Sequence, residues 1–190
     1  DCANVSGFMH ICAIKRRHEI IIPRGDDMIQ ENDIVYIATK NEYLDRVIAV
    51  CGKKKEVINK VMIMGGSRIA KRLVKMSEGK YEFKIIEFDK KRSVELAYDL
   101  PECKIVHGDG RENDLLRDEH IEDYDAFIAL SDSSETNILG CLTAKEFGMK
   151  KTIAEVENIQ FISEAEALNI GTIINKKLLA SSKIFQTLLD

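Results

Sequence analysis

The sequence predicts an α/β protein: a doubly wound parallel sheet preceded by a small, partial α+β unit. Three observations predict it. From residue 57 onward, short and nearly continuous apolar runs alternate with stretches of helical period, the pattern of a parallel sheet covered on both faces. One such run, Val61-Met62-Ile63-Met64, enters the small-residue turn Gly65-Gly66-Ser67-Arg68-Ile69-Ala70, which opens a helix. The next apolar run ends in an acid, Glu87. A strand–turn–helix–strand unit of this kind makes a Rossmann-like arrangement the default.

The elements follow in order. Residues 9–15 and 19–22 read as strands, the second stopped by Pro23, which cannot donate to a ladder. Glu31-Asn32-Asp33 reads as a turn and residues 34–38 as a third strand. Tyr43, Leu44, Val47, Ile48 and Cys51 then recur at helical spacing. These form a small α+β unit over residues 1–55. With so few elements it reads as incomplete, its first part expected before Asp1. The charged connector 52–56 leads into the second domain, 56–190. Strands are expected there at 60–64, 82–87, 104–107, 126–130, 152–156 and 172–174. Helices are expected at 68–76, 91–99, 112–117, 135–147, 159–168 and 177–189. In the first of these helices Ile69, Leu73 and Met76 form the expected buried face. The last carries Leu178, Phe185, Leu188 and Leu189, an apolar face for a dimer partner or for its own sheet.

Composition narrows the function. The 190 residues are 45% hydrophobic and 32% charged, an ordinary globular balance. A net charge of -4, without a basic stripe, gives no expectation of a nucleic-acid partner. No apolar run is long enough to span a bilayer, and no signal-peptide pattern is present. A chain that starts at Asp1 reads as part of a longer protein. Cys2, Cys12, Cys51, Cys103 and Cys141 have neither metal-ligand nor redox spacing. They read as reduced, buried thiols of a cytosolic protein.

The glycine turn is the candidate site. Gly65 supplies the tight turn, Ala70 permits close helix–strand packing, and the helix amides face an expected pyrophosphate. Ser67 stands at the middle glycine position, where its side chain takes room and its hydroxyl can donate to a phosphate. Arg68 can pair with phosphate or lie solvated on the helix. Glu87 follows Gly65 by 22 residues, the place of the acid that binds ribose hydroxyls and favours NAD over NADP. Two further loops follow strand ends on the same side: Gly108-Asp109-Gly110 and Ser131-Asp132-Ser133-Ser134-Glu135, with Ser133 or Ser134 as helix cap. The expected binding residues are Gly65, Gly66, Ser67, Arg68, Ile69, Glu87, Phe88, Asp109, Gly110, Ser131 and Asp132.

A dehydrogenase would also need a proton-transfer residue beside the cofactor. His10, His18, His107 and His120 have no evident orienting partner, and Asp109, Glu112 and Asp114 read as a solvated acidic loop rather than a metal site. No catalytic or metal residue is assigned.

With these loops in place the sequence resembles the RCK/KTN family, regulators of potassium conductance, and within it the TrkA type. Residues 61–70 are similar to the family's first turn, usually G-G-G-R-I-G, and Ile85-Ile86-Glu87-Phe88-Asp89 to its second strand. Gly108-Asp109-Gly110 and the stretch 129–138 are similar to its later loops. Ile22-Pro23-Arg24 through Asp33-Ile34-Val35-Tyr36-Ile37 resembles the second half of the family's C-terminal module, with Asn32 where a glycine is usual. The resemblance implies the end of a C-module followed by an N-module, as in a tandem chain. It further implies a cytosolic, non-enzymatic sensor of NAD+ or NADH, with ATP or ADP as other candidate ligands. Such a subunit gates a Trk-type membrane potassium-translocating partner from the inner face of the plasma membrane, as a dimer or tetrameric ring. The alternatives are an NAD-dependent oxidoreductase domain, or a scaffold that has lost its ligand.

Overall fold

The computed structural model describes residues 7–17, 19–52, 57–77 and 79–189. The expectations for Cys2, His18 and most of the charged connector lie outside these residues. The chain divides into two compact units, 1–56 and 57–190.

The first unit is a three-stranded antiparallel sheet. Its strands are β1 (Met9–Arg16), β2 (Glu19–Ile21) and β3 (Ile34–Thr39), in the order β2-β1-β3. A bulge between Ile11 and Ala13 shifts the register of β1 against β3. A single 3-10 turn at Asn41–Tyr43 leads into helix α1 (Leu44–Val50). Phe8, Ile11, Ile14 and Val47 are its buried apolar residues. Asn32 takes a left-handed conformation, φ 69°, which asparagine tolerates nearly as well as glycine. Asp33 behind it accepts from Arg16 Nε at 3.0 Å and Nη2 at 2.8 Å, closing the connection between β2 and β3.

The second unit is the expected doubly wound fold. Six strands, β4 (Lys60–Met64), β5 (Glu82–Glu87), β6 (Lys104–His107), β7 (Ala126–Ala129), β8 (Lys151–Glu155) and β9 (Thr172–Ile174), form one sheet. Its order is β6-β5-β4-β7-β8-β9 and every pair is parallel. The helices between them are α2 (Arg68–Met76), α3 (Lys90–Asp99), α4 (Asn113–Asp118), α5 (Ser134–Glu146) and α6 (Gln160–Ala167), and α7 (Lys176–Leu189) closes the chain. Period two along the strands divides the core. Val61, Ile63, Phe83 and Ile85 pack with Ala70, Leu96 and Leu100, whereas Met62, Met64, Ile86 and Phe127 pack with Leu116, Cys141 and Ala144. Several expected ends move by one residue because caps, rather than hydrophobic period, set them. Asp89 accepts from the Arg92 N–H and starts α3 one residue early. Ser133 accepts from the Thr136 N–H at 3.1 Å and starts α5 at Ser134.

The expected face of α2 is corrected. Ala70, fully buried, meets the sheet with Leu73 and Val74 partly buried beside it, while Ile69 and Met76 are exposed. A methyl side chain at residue 70 lets the helix approach the strands, and that closeness sets its rotation. The thiols are corrected as well. Cys103 and Cys141 are buried, but Cys12 and Cys51 are exposed. Among the described side chains of α7, Leu178, Phe185 and Leu188 are exposed, and the expectation for Leu189 lies outside them.

Candidate functional site

The sheet order reverses at β4, which has β5 on one side and β7 on the other, and ligands of open α/β sheets bind beyond the strand ends at such a point. The chain leaves β4 through Gly65 at φ 97°. A Cβ there would lie 2.6 Å from Ser131 N, so the turns after β4 and β7 touch backbone to backbone. Gly66 is constrained by side chains instead, since a Cβ would lie 2.1 Å from Leu96 Cδ1 and 2.9 Å from Glu87 Oε2. Ser67 has φ -65°, a value open to any residue, and its hydroxyl accepts from the Ala70 N–H at 3.4 Å. It is the N-cap of α2, so no glycine is needed at this position for backbone conformation.

Glu87, at the end of β5, is 4% exposed. One carboxylate oxygen accepts from the Gly66 N–H at 2.6 Å and the other from the Asp89 N–H at 2.7 Å. The acid thus ties the glycine turn to the start of α3. After β6, Gly110 packs against Met64, whose Cγ would lie 2.6 Å from an added Cβ. Asp109 accepts from Arg111 Nε at 2.9 Å and Nη2 at 2.6 Å, and this pairing holds its carboxyl below the usual aspartate range. His107 donates from Nε2 to the Phe88 carbonyl at 3.1 Å, a structural contact. Among the described residues no group of three or more His, Cys, Asp or Glu side chains converges on a common point.

The turn after β7 is held by a residue the sequence reading passed over. Asn137, 1% exposed, accepts from the Ser131 N–H at 2.8 Å and from its hydroxyl at 2.7 Å. It donates to the Ser131 carbonyl at 3.0 Å and to the Glu155 carbonyl at 2.8 Å. One buried amide therefore links the ends of β7 and β8.

The expected residues fall into two adjoining depressions. Gly65, Glu87, Phe88, Asp109, Gly110, Ser131 and Asp132 line a cleft of about 350 Å³. Gly66, Ser67, Arg68 and Ile69, with Asp132 again, line a groove of about 610 Å³. Four cations absent from the expected set also lie here: Lys71, paired with Asp99, Arg111, paired with Asp109, and Arg92 and Lys176. Arg92 borders both depressions, 3.2 Å from Asp132 Oδ2 and 3.8 Å from Glu87 Oε2. Asp132, with Glu87 behind it, raises the guanidinium pKa. Lys176 borders the groove and pairs with the buried Glu155 carboxylate at 2.6 Å. The arrangement offers backbone N–H groups, hydroxyls and guanidinium groups around a concave surface, a donor set suited to anionic ligands with hydroxyl groups.

Comparison with known proteins identifies the family and the fold. A family model described as the TrkA-N domain matches residues 61–176, and one described as the TrkA-C domain matches residues 6–52. The "Trk system potassium uptake protein trkA homolog 1" of Methanosarcina mazei is 34% identical over 179 residues, 93% of this chain. This chain spans 43% of that relative's length. The crystal structure of the TrkA-N domain of the Escherichia coli inner membrane protein ybaL superposes with a TM-score of 0.62 at 13% identity, covering 70% of this chain and 98% of that one. A structure described as "GsuK channel bound to NAD" superposes with a TM-score of 0.55 at 18% identity, covering 63% of this chain and 22% of that one. These two likenesses establish the shared fold. The TrkA-N model spans more than half of the chain, over the very sheet that carries the cleft, and the chain belongs to the TrkA-N domain family.

Proposed function

We propose that residues 56–190 form a nucleotide-sensing N-module and that residues 1–55 are the end of a preceding C-module. Together they would belong to the regulatory subunit of a Trk-type potassium uptake system. The observation that carries this reading is the convergence of the loops after β4, β5, β6 and β7 on one cleft at the sheet's switch point. The relative's description as a Trk potassium uptake protein and the fold neighbour's bound NAD support it. The ligand is NAD+ or NADH, with ATP or ADP as competitors for the same cleft. Its adenosine would lie between Phe88 and the Asp109–Gly110 turn, with Glu87 near the ribose. Its phosphates would lie at Gly65, Gly66, Ser67, Arg68 and Ile69, and its far end toward Ser131 and Asp132.

The proposed action is regulation without catalysis. A ligand biases a conformational equilibrium only by binding one arrangement more tightly than the other. A tenfold difference in affinity supplies about 1.4 kcal/mol per site. Summed over a dimer or tetrameric ring on the cytoplasmic face of its membrane partner, such increments bias a potassium pathway.

Calorimetric titration of the full-length protein with NAD+, NADH, ATP and ADP tests the reading. Saturable binding of at least one of them, with no steady hydride transfer, is expected. Absence of all binding would overturn it in favour of a scaffold. In that event a Ser67→Gly variant that gained binding would identify Ser67 as the cause. Turnover of the nicotinamide cofactor would instead favour an oxidoreductase.

A further inference from the structure

We infer that Arg92 reads a phosphate group of the ligand, and that Asp132 holds the guanidinium until that phosphate displaces it. The inference rests on the nucleotide reading of this cleft and adds a residue that the glycine-turn pattern does not contain.

Arg92 and Asp132 are the two residues that border both the cleft and the groove. They come from opposite sides of β4, Arg92 from the first turn of α3 after β5 and Asp132 from the turn after β7. Their ion pair, at 3.2 Å, therefore joins the two sides of the switch point. The guanidinium also lies 3.8 Å from the Glu87 oxygen that accepts from the Gly66 N–H. It is thus close to the turn where an anion is expected.

The two anchors differ from the two side-chain ends. Arg92 is fixed at its backbone, where its N–H donates to Asp89 Oδ1 at 2.7 Å, but its side chain is 43% exposed. Asp132 follows the clamped Ser131, yet its own side chain is 76% exposed. An exposed carboxylate making one contact with an arginine is readily exchanged. A phosphate presents two oxygens to the guanidinium fork and forms the stronger, bidentate pair. Glu87 does not substitute for it, because both of its oxygens already accept backbone N–H groups. Asp132 therefore opposes the ligand twice, by occupying Arg92 and by repelling the incoming anion.

The phosphate is expected on the 5′ chain of the nucleotide, the place it has in all the ligands proposed above, and a 2′-phosphate on the ribose is the other source of the same chemistry. Titrations of the 190-residue chain with ADP, adenosine 2′,5′-bisphosphate, 5′-AMP and adenosine distinguish them. Arg92→Gln is expected to weaken binding of the phosphate it reads at least tenfold and leave adenosine within twofold. Asp132→Asn is expected to tighten the same ligand severalfold, and this gain is expected to vanish in the Arg92→Gln background. A loss shared by ADP and 5′-AMP assigns the 5′ chain. A loss confined to the bisphosphate assigns the 2′ position. Phosphorylated ligands unaffected by Arg92→Gln, or adenosine weakened equally, would overturn the inference alone. Failure of the unaltered chain to bind any of the four would overturn both it and the reading on which it rests.

Discussion

Gly65 is the residue on which the site's geometry turns. Its φ of 97° is strained for any side chain, and the nearest atoms to an added Cβ are backbone atoms of Leu130 and Ser131 at 2.6–2.8 Å. Backbone cannot swing aside as a side chain can. Gly65→Ala is therefore expected to cost about 3 kcal/mol through strain alone, read as a lower urea midpoint, and to abolish nucleotide binding. Asn137 is the second such residue. Asn137→Ala would remove the acceptor of the Ser131 N–H and the side-chain donor to the Ser131 and Glu155 carbonyls. A loss of about 2–3 kcal/mol is expected in the same assay. The two differ in legibility. Gly65 was evident because a tight turn imposes a local sequence signature. Asn137 was hidden because a polar residue inside a helical stretch gives no sign of which way it faces, and the Glu155 carbonyl that it joins to Ser131 comes from another strand end. Arg92 was hidden because its partner Asp132 is forty residues away.

At the scale of elements, the strands of the parallel sheet were legible almost residue by residue, since burial on both faces leaves little room for polar residues. Helix rotation was less so. The spacing of Ile69, Leu73 and Met76 suggested one face of α2, but close packing of Ala70 turned Ile69 and Met76 outward. Period identifies a stripe, and steric fit decides which stripe is used. The start of β4 depends on one further device. Asp125, just before β7, accepts the N–H groups of Asn59 and Lys60 at 2.7 and 2.9 Å. These donors hold its carboxyl below the ordinary aspartate range. A depressed folded pKa contributes stability that is present above the unfolded value, and this is lost as the pH falls through the folded one. The thermal midpoint is therefore expected to fall with acidification below about pH 4. Asp125→Ala should lower the midpoint at pH 7 and make the acid fall shallower. Equal slopes for the two proteins would remove Asp125 from this account.

For the molecule as a whole, the sequence left the destination of the last helix open between a dimer partner and its own sheet. The start of α7 is firmly anchored. Asn175 accepts from the Leu178 N–H at 3.0 Å and donates to the Val156 carbonyl at 2.7 Å. Beyond that anchor the apolar residues do not turn inward: Ile184, Phe185 and Leu188 are 61%, 63% and 79% exposed. Three large apolar side chains on one short helical segment are costly to leave in water, since full burial of each is worth about 1.5–3 kcal/mol. A second copy presenting the same face would bury both sets at once, since a two-fold arrangement sets one patch against its own copy. The chain is therefore expected to self-associate, with a mass that rises with concentration in sedimentation. Replacing Ile184, Phe185 and Leu188 with serine should shift the chain to monomer and weaken association at least about 100-fold, equivalent to about 2.8 kcal/mol. Circular dichroism should remain unchanged, because these residues contribute little to the chain's own core. A monomeric unaltered chain, or a serine variant that still dimerises, would place the contact elsewhere.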